Sequence, residues 1–168
     1  ARIIVEAALD FFGRIAPALA GLMLVAGPAR ADEADIHYRM AMSYKRANRH
    51  NEALRELQTV LSLRPNHAAA LCTQGHVHRR MGNYAEAAAS YRRCLALEPT
   101  HAEGHANLGV VLARLGQREE AVGELRRAAE LDGRDWQSLS SLGVVLRDLR
   151  RYDEAVQAYR QALAIRPN

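Results

Sequence analysis

Hydrophobic and small residues recur along the chain with a period of 34 residues, beginning near residue 34. One alanine position recurs in every period, each time directly after a glutamate: Ala53, Ala87, Ala121 and Ala155. A second small position lies twelve residues earlier and holds Ala41, Gly75, Gly109 and Gly143. A fixed period of this length indicates stacked supersecondary units, because each unit buries its apolar face only against its neighbours.

Each period predicts two helices that pack as a hairpin. Leucines at helical spacing in the first helix face apolar residues of the second, here Leu108, Leu112, Leu142 and Leu146 against Leu125 and Tyr159. Gly82 and Gly116 suit the left-handed turn that closes a first helix. The second helices end at Pro65, Pro99 and Pro167, since proline does not continue the hydrogen-bond ladder.

The pattern resembles the tetratricopeptide repeat family over residues 34–168, about four fifths of the chain. Repeat four matches best, through Leu142-Gly143, Tyr152-Asp153-Glu154-Ala155, Tyr159, Ala162 and Pro167. The resemblance implies an all-α fold, a right-handed superhelix (α-solenoid) of four helix-turn-helix repeats. We place the repeat domain at 32–168, with repeats at 34–67, 68–101, 102–135 and 136–168.

The same resemblance implies that the first helix of each repeat lines a concave groove that binds a partner. Mapped onto this sequence, the partner-binding positions are Tyr38, Arg39, Met42, Lys45, Arg46, Thr73, His76, Arg79, Arg80, Asn107, Val110, Arg114, Ser141, Val144 and Arg147. The repeat-packing positions are Ala53, Gly75, Ala87, Gly109, Ala121, Gly143 and Ala155.

A line of cations runs near the C-terminal ends of the first helices: Lys45, Arg46, Arg79, Arg80, Arg114 and Arg147. Such a stripe favours an acidic peptide or a free C-terminal carboxylate, through charge-assisted hydrogen bonds. The alternative is that these cations only complement helix dipoles and face solvent.

Two specialised grooves of the family are not matched here. The clamp that holds chaperone tails uses lysine, asparagine and arginine, whereas the corresponding positions hold Tyr38, Met42, Thr73, Glu103 and Asn107. A backbone-binding asparagine ladder needs asparagine at three positions that hold Arg39, Thr73 and Ser141.

Composition argues against most chemistry. The net charge of +4 is spread along the chain and aromatic residues make up 5%, so we expect no nucleic-acid partner. No catalytic triad order, phosphate-binding loop or haem-attachment motif occurs, and we therefore expect no catalysis and no cofactor.

His101 and His105 have ligand spacing but no evident third ligand, so we predict no metal site. Thr100 and Glu103 resemble a capping box for the third repeat's first helix.

Repeat two carries the unusual residues. Cys72 and Cys94 lie on facing helices at similar heights, so an intrahairpin disulfide is possible in an oxidising compartment. Gln74 and His78 replace the usual leucine and aromatic residue, and their spacing allows a mutual hydrogen bond.

The first 31 residues read as an export segment. An uncharged stretch from Ile15 to Ala29 leads into the small residues of Ala29-Arg30-Ala31, which is typical of a signal peptide cleaved before Asp32. An uncleaved membrane anchor and an amphipathic helix are the alternatives.

The sequence therefore predicts an exported bacterial scaffold, periplasmic or secreted, that binds a protein or peptide. Two alternatives remain open: the targeting superhelix of a larger enzyme such as a glycosyltransferase or protease, and a membrane-anchored assembly subunit. We expect the repeats to continue past residue 168, because Val156, Tyr159 and Leu163 of the last helix lack a following helix to cover them.

Overall fold

A computed structural model describes residues 33–167, and the predicted export segment lies outside these described residues. Within them the chain is all helical, with short turns and no strand. The helices are α1 (33–46), α2 (His50–Leu63), α3 (Ala68–Arg80), α4 (Tyr84–Leu97), α5 (Ala102–Arg114), α6 (Arg118–Leu131), α7 (Trp136–Asp148) and α8 (Tyr152–Ile165). They form four hairpins, and the fold is the predicted right-handed α-solenoid.

Left-handed backbone closes the turn inside each hairpin. Gly82 and Gly116 have φ of 80° and 79°, as their sequence positions predict. Asn48 and Arg150 adopt φ of 57° and 60° at the equivalent turns. Asparagine tolerates this region well, whereas arginine adopts it only rarely. The repeat geometry therefore determines the backbone at residue 150 even without a glycine.

Small residues allow the two helices of a hairpin to approach closely. A Cβ added at Gly109 would lie 2.6 Å from Leu125 Cγ, and one at Gly75 would lie 2.9 Å from the ring of Tyr91. Where the two helices of a hairpin meet, at a contact that we call the seam, the second helices bury their recurring alanines: Ala53, Ala87, Ala121 and Ala155. The buried hydrophobic residues form one large cluster from α4 to α8, a second from α1 to α3, and a small third cluster between α3 and α4.

The last hairpin has one open face. Val156 and Leu163 of α8 are 47% and 57% exposed, as expected for a helix without a following neighbour, whereas Tyr159 is half-buried against Gly143. None of the described helices is both long enough and apolar enough to cross a membrane.

Candidate functional site: a concave groove

The first helices of the hairpins lie side by side on the inner face of the superhelix. Helix α3 contacts α5 and α5 contacts α7, although each pair is separated in sequence by a complete second helix. Neighbouring units of a curved stack approach each other most closely on its concave side. The groove is therefore lined by α1, α3, α5 and α7.

A first cavity of about 190 Å³ opens between α1, α3 and α5. Tyr38 and Lys45 line it from α1, Thr73 and His76 from α3, and Asn107 from α5. The hydroxyl groups of Tyr38 and Thr73 are hydrogen-bonded at 3.3 Å, which links the first two repeats across the groove.

Several charged side chains act on His76 in the wall of this cavity. Burial lowers the pKa of His76, and the charges of Lys45 and Arg79 lower it further, while Glu103 opposes them. The His76 ring is consequently held in its neutral form at neutral pH, with one N–H available as a donor.

Tyr91 of α4 also lines this cavity. Its ring packs against Gly75 and the residue is 1% exposed. Burial raises the pKa of Tyr91 to about 12, and the charge of Arg79 and a side-chain hydrogen bond with it partly offset this rise. Sequence reasoning did not select Tyr91 as a groove residue, because it belongs to a second helix. The available signal was the replacement of Leu57 and Leu125, at the same register, by a side chain with a polar end.

A second cavity, of about 400 Å³, lies between α5 and α7 and shares Glu103 and Asn107 with the first. Asp132 and Asp135 line it, and Asp135 caps α7 by accepting hydrogen bonds from the backbone N–H groups of Gln137 and Ser138. The groove therefore changes from cationic at its N-terminal half to acidic further along.

A disulfide joins Cys72 to Cys94 and ties α3 to α4, with a Cα–Cα distance of 5.4 Å. Cys72 lines the first cavity, so the bond lies at the edge of the site. Gln74 Oε1 accepts a hydrogen bond from Ser90 Oγ rather than pairing with His78, which its spacing would also allow.

Family models describing the tetratricopeptide repeat match residues 32–100, 72–133 and 111–168. The chain belongs to the tetratricopeptide repeat family. No curated protein matches it in sequence.

Solved tetratricopeptide structures share the fold. A crystal structure of MamA is 23% identical, with a TM-score of 0.79 over 82% of this chain and 75% of the other. The first tetratricopeptide domain of Spaghetti (RPAP3), bound to the HSP90 peptide SRMEEVD, is 17% identical, with a TM-score of 0.69 over 71% of this chain and 94% of the other. An O-GlcNAc transferase from Thermobaculum terrenum is 33% identical, with a TM-score of 0.65, over 70% of this chain but 22% of the enzyme.

The structure brings together some of the residues that the tetratricopeptide resemblance assigns to the groove. Tyr38, Lys45, Thr73, His76 and Asn107 line the first cavity, and Asn107, Val110 and Ser141 line the second. The remaining mapped positions line neither of these cavities in the described chain: Arg39, Met42, Arg46, Arg79, Arg80, Arg114, Val144 and Arg147.

The cations of the predicted stripe differ in their exposure and in their partners. Lys45 and Arg79 are half-buried near the first cavity, whereas Arg80 and Arg114 are exposed. Arg46 Nε donates to the carbonyl of Met42 in its own helix. Arg147 forms an exposed ion pair with Asp148, whose negative charge partly offsets that of Arg147.

The histidines have local structural contacts. His101 is the N-cap of α5, and its Nδ1 accepts from the backbone N–H of Gly104 at 2.9 Å. The predicted capping box of Thr100 and Glu103 is therefore wrong, because the helix begins one residue later and histidine caps it. His105 pairs with Glu124, and no group of three metal-ligating side chains occurs among residues 33–167.

Proposed function

We propose that the chain is the interaction module of an exported bacterial scaffold, which binds an extended acidic peptide of a partner protein in its concave groove. Its repeats supply a surface for a partner. A solenoid groove suits an extended ligand because successive repeats present equivalent positions at regular intervals.

The observation that carries this proposal is the pair of adjoining cavities along the inner face. Together they extend from α1 to α7 and share Glu103 and Asn107. Lys45 lines the N-terminal cavity, and the charges of Arg79 and Arg80 act on His76 in its wall, which favours acidic residues of a peptide. The acidic lining of the second cavity favours a basic or neutral continuation of the same peptide.

The RPAP3 domain, whose partner is the acidic peptide SRMEEVD, supports a peptide ligand by analogy of fold. This chain has Tyr38, Met42, Thr73 and Glu103 where the chaperone clamp requires other polar or basic groups. We therefore propose a different acidic partner.

Export is proposed on two grounds. The Cys72–Cys94 disulfide is the kind of bond that persists in oxidising compartments such as the periplasm. Residues 1–31 have the sequence pattern of a signal segment. Detection of a mature N-terminus at Asp32 tests this part of the proposal.

Selection from a random heptapeptide library on the purified chain tests the partner chemistry. We expect enriched Asp and Glu, and we expect Arg79→Glu, Arg80→Glu and Arg114→Glu together to abolish binding of the selected peptides. The matched control reverses three exposed arginines of the second helices: Arg93→Glu, Arg118→Glu and Arg160→Glu. Unchanged binding after the groove substitutions would contradict the proposal.

A second candidate is the targeting superhelix of a larger enzyme. The likeness to the Thermobaculum transferase favours it, since it has the highest identity of the three structures compared above. The groove differs from an asparagine ladder, because Arg39, Thr73 and Ser141 occupy three of its positions. The gene sequence after residue 168 tests this candidate, which requires a catalytic domain there.

A further inference from the structure

Hairpin four presents an uncovered apolar face at one end of the described stack. Val156 and Leu163 are exposed there, whereas Val122 and Leu95, at the same registers of earlier repeats, are buried. Leu95 lies against the next first helix, since a Cβ added at Gly104 of α5 would lie 2.9 Å from the Leu95 side chain. The open face of α8 therefore has the positions that receive a first helix elsewhere in the stack.

An open cavity of about 470 Å³ lies at the same end of the stack. Ser140 and Tyr159 line it, and their registers in hairpin two hold Cys72 and Tyr91. In hairpin two, α5 covers the equivalent surface, because its Asn107 lines the first cavity together with Cys72 and Tyr91. The place that α5 takes on hairpin two is thus open on hairpin four.

Hairpin one has a matching apolar face at the opposite end. Ile36 and Met40 of α1 are 54% and 39% exposed. The residues at these two registers in later first helices, Ala70 and Leu108, are buried. Each of those later helices contacts the second helix that precedes it. Among the described helices, α1 has no such preceding neighbour.

Charged side chains join hairpins three and four in one register. Glu119 of α6 accepts a hydrogen bond from Arg151 at 2.9 Å, and Arg126 of α6 forms an ion pair with Glu154. Arg151 and Glu154 are also paired with each other. These four side chains form one network across the junction, in which α6 supplies one acid and one base and hairpin four supplies the other two.

Hairpin four carries the α6 half of this network a second time. Asp153 and Arg160 of α8 lie one period of 34 residues after Glu119 and Arg126. Both side chains are exposed, and neither takes part in an ion pair among residues 33–167. An acid and a base therefore stand ready on the open face at the spacing that α6 uses.

Hairpin one carries the other half. Arg49 and Glu52 lie three periods before Arg151 and Glu154, and they form an ion pair with each other as those two residues do. Within the described part of the chain, no preceding hairpin supplies the acid and the base that α6 gives to hairpin four. The two ends of the stack consequently complement each other in both charge and apolar surface.

We infer that copies of this chain associate head to tail, with α1 of a second copy docked on the open face of hairpin four. Asp153 then pairs with Arg49 of the partner subunit, and Arg160 pairs with Glu52 of the partner subunit. The apolar faces supply most of the affinity, since exposed ion pairs contribute little, and the ion pairs select the register. This surface is distinct from the groove of the proposed function.

Such an interface is heterologous, so every assembly keeps one free face at each end and grows into an open chain rather than a closed dimer. Analytical ultracentrifugation of the purified chain at increasing concentration measures this. We expect the weight-average mass to rise past the dimer without a plateau. A plateau at the dimer would overturn the inference. A constant monomer mass would also overturn it, and that is the result if residues 1–32 or a further repeat cover either face.

Variants blocked at one face each identify the interface. Ile36→Asp places a carboxylate on hairpin one, in the first turn of α1 where the helix dipole favours it, and Leu163→Asp places one on hairpin four. Both side chains are more than half exposed, so we expect both variants to fold. Each variant alone should be monomeric, and an equal mixture should form a one-to-one dimer through the two intact faces. Association of either variant alone, or absence of the mixed dimer, would contradict the inference.

A charge exchange on α8 tests the register. Asp153→Arg together with Arg160→Glu keeps the net charge and places like charges opposite the hairpin-one pair of the second copy. We expect association to weaken about tenfold at low salt, and by less at high salt. The matched control exchanges two exposed charges of α4 at the same spacing, Glu86→Arg together with Arg93→Glu, and should leave association unchanged. Equal association of the two exchanged proteins would overturn the proposed pairing.

Discussion

Hairpins two and four have the same seam but different surroundings. In each, a tyrosine ring lies against a glycine of the first helix, Tyr91 on Gly75 and Tyr159 on Gly143. Hairpin two is covered by repeats on both sides, and its tyrosine is 1% exposed. Hairpin four has an open face, and Tyr159 is half-buried.

The difference shows how neighbouring repeats change the surroundings of one side chain. The contact itself needs only an aromatic ring and a glycine. Burial by the flanking repeats encloses Tyr91 at a cavity that Lys45 and His76 also line, whereas Tyr159 lies outside that cavity. A disulfide at Cys72 and Cys94 further fixes hairpin two, where hairpin four has Ser140 and Ala162.

The largest expected effect comes from giving hairpin two the residues of hairpin four through Cys72→Ser and Cys94→Ala. The disulfide closes a loop with a sequence separation of 22, so its loss should lower the free energy of unfolding by about 3 kcal/mol. Denaturant unfolding without reductant measures this change. A reductant should destabilise the unmodified protein equally and leave the double variant unaffected; equal stability of all samples would mean that the cysteines are free thiols.

The next effect comes from adding a methyl group at each seam. Gly75→Ala places a Cβ 2.9 Å from the enclosed Tyr91 ring and should reduce the free energy of unfolding by about 1–3 kcal/mol. Gly143→Ala places its Cβ 2.7 Å from the Tyr159 ring but should cost less, because the half-buried ring has room to move. Both are measured by denaturant unfolding.

The control for both is Gly123→Ala on α6, where a Cβ meets nothing within 4 Å. It should stabilise the protein by about 0.5–1 kcal/mol through helix propensity alone. Equal losses from Gly75→Ala and Gly143→Ala would contradict the claim that the flanking repeats confine only the first seam.

Much of this architecture was predictable from sequence because small residues recur at the same positions in each repeat, where the helices pack together. The recurring alanines and glycines determine which helices approach, and Gly82 and Gly116 mark the turns. The groove was less predictable. Mapping by register selects first-helix residues such as Thr73 and Asn107, which line the first cavity. It does not select Tyr91, a second-helix residue that reaches the same cavity because Gly75 leaves space for its ring.

Some side-chain hydrogen bonds were also not predictable, because more than one partner lies within reach of the same side chain. Gln74 bonds to Ser90 on α4 and leaves His78 without a hydrogen bond at Nδ1. His101 displaced Thr100 as the cap because the imidazole reaches the backbone N–H of Gly104. Spacing along one helix does not reveal such competition between neighbouring helices.

A smaller effect concerns acid stability. Burial lowers the pKa of both His76 and His78, whose places in hairpin four are taken by Val144 and Leu146. The unfolded chain then binds more protons than the folded one below the ordinary histidine pKa of 6.5. Their contribution to stability is present above that pH and is lost as pH falls towards the lowered values.

His78→Leu, the residue of hairpin four, should therefore flatten the fall in Tm between pH 7.5 and 5.5, a range chosen to bracket the ordinary histidine pKa of about 6.5. Tm measured at both pH values for the variant and the unmodified protein checks this. His50→Gln is the control, since this histidine belongs to hairpin one. A pH dependence identical in all three proteins would contradict a role for His78.

The smallest effect distinguishes the ion pairs that connect the second helices. Arg92 pairs with Glu120, and Arg126 pairs with Glu154 at the same register one repeat later. Glu154 also accepts from Arg151, so it keeps a partner when Arg126 is removed. Arg92→Ala should consequently lower the free energy of unfolding by about 0.2–1 kcal/mol, and Arg126→Ala by less.

Denaturant unfolding at low and high salt measures both, and the difference between them should shrink as salt screens the pairs. An equal loss from both variants would mean that Arg151 does not compensate, and that hairpin four is held to its neighbour by this pair as strongly as hairpin two is.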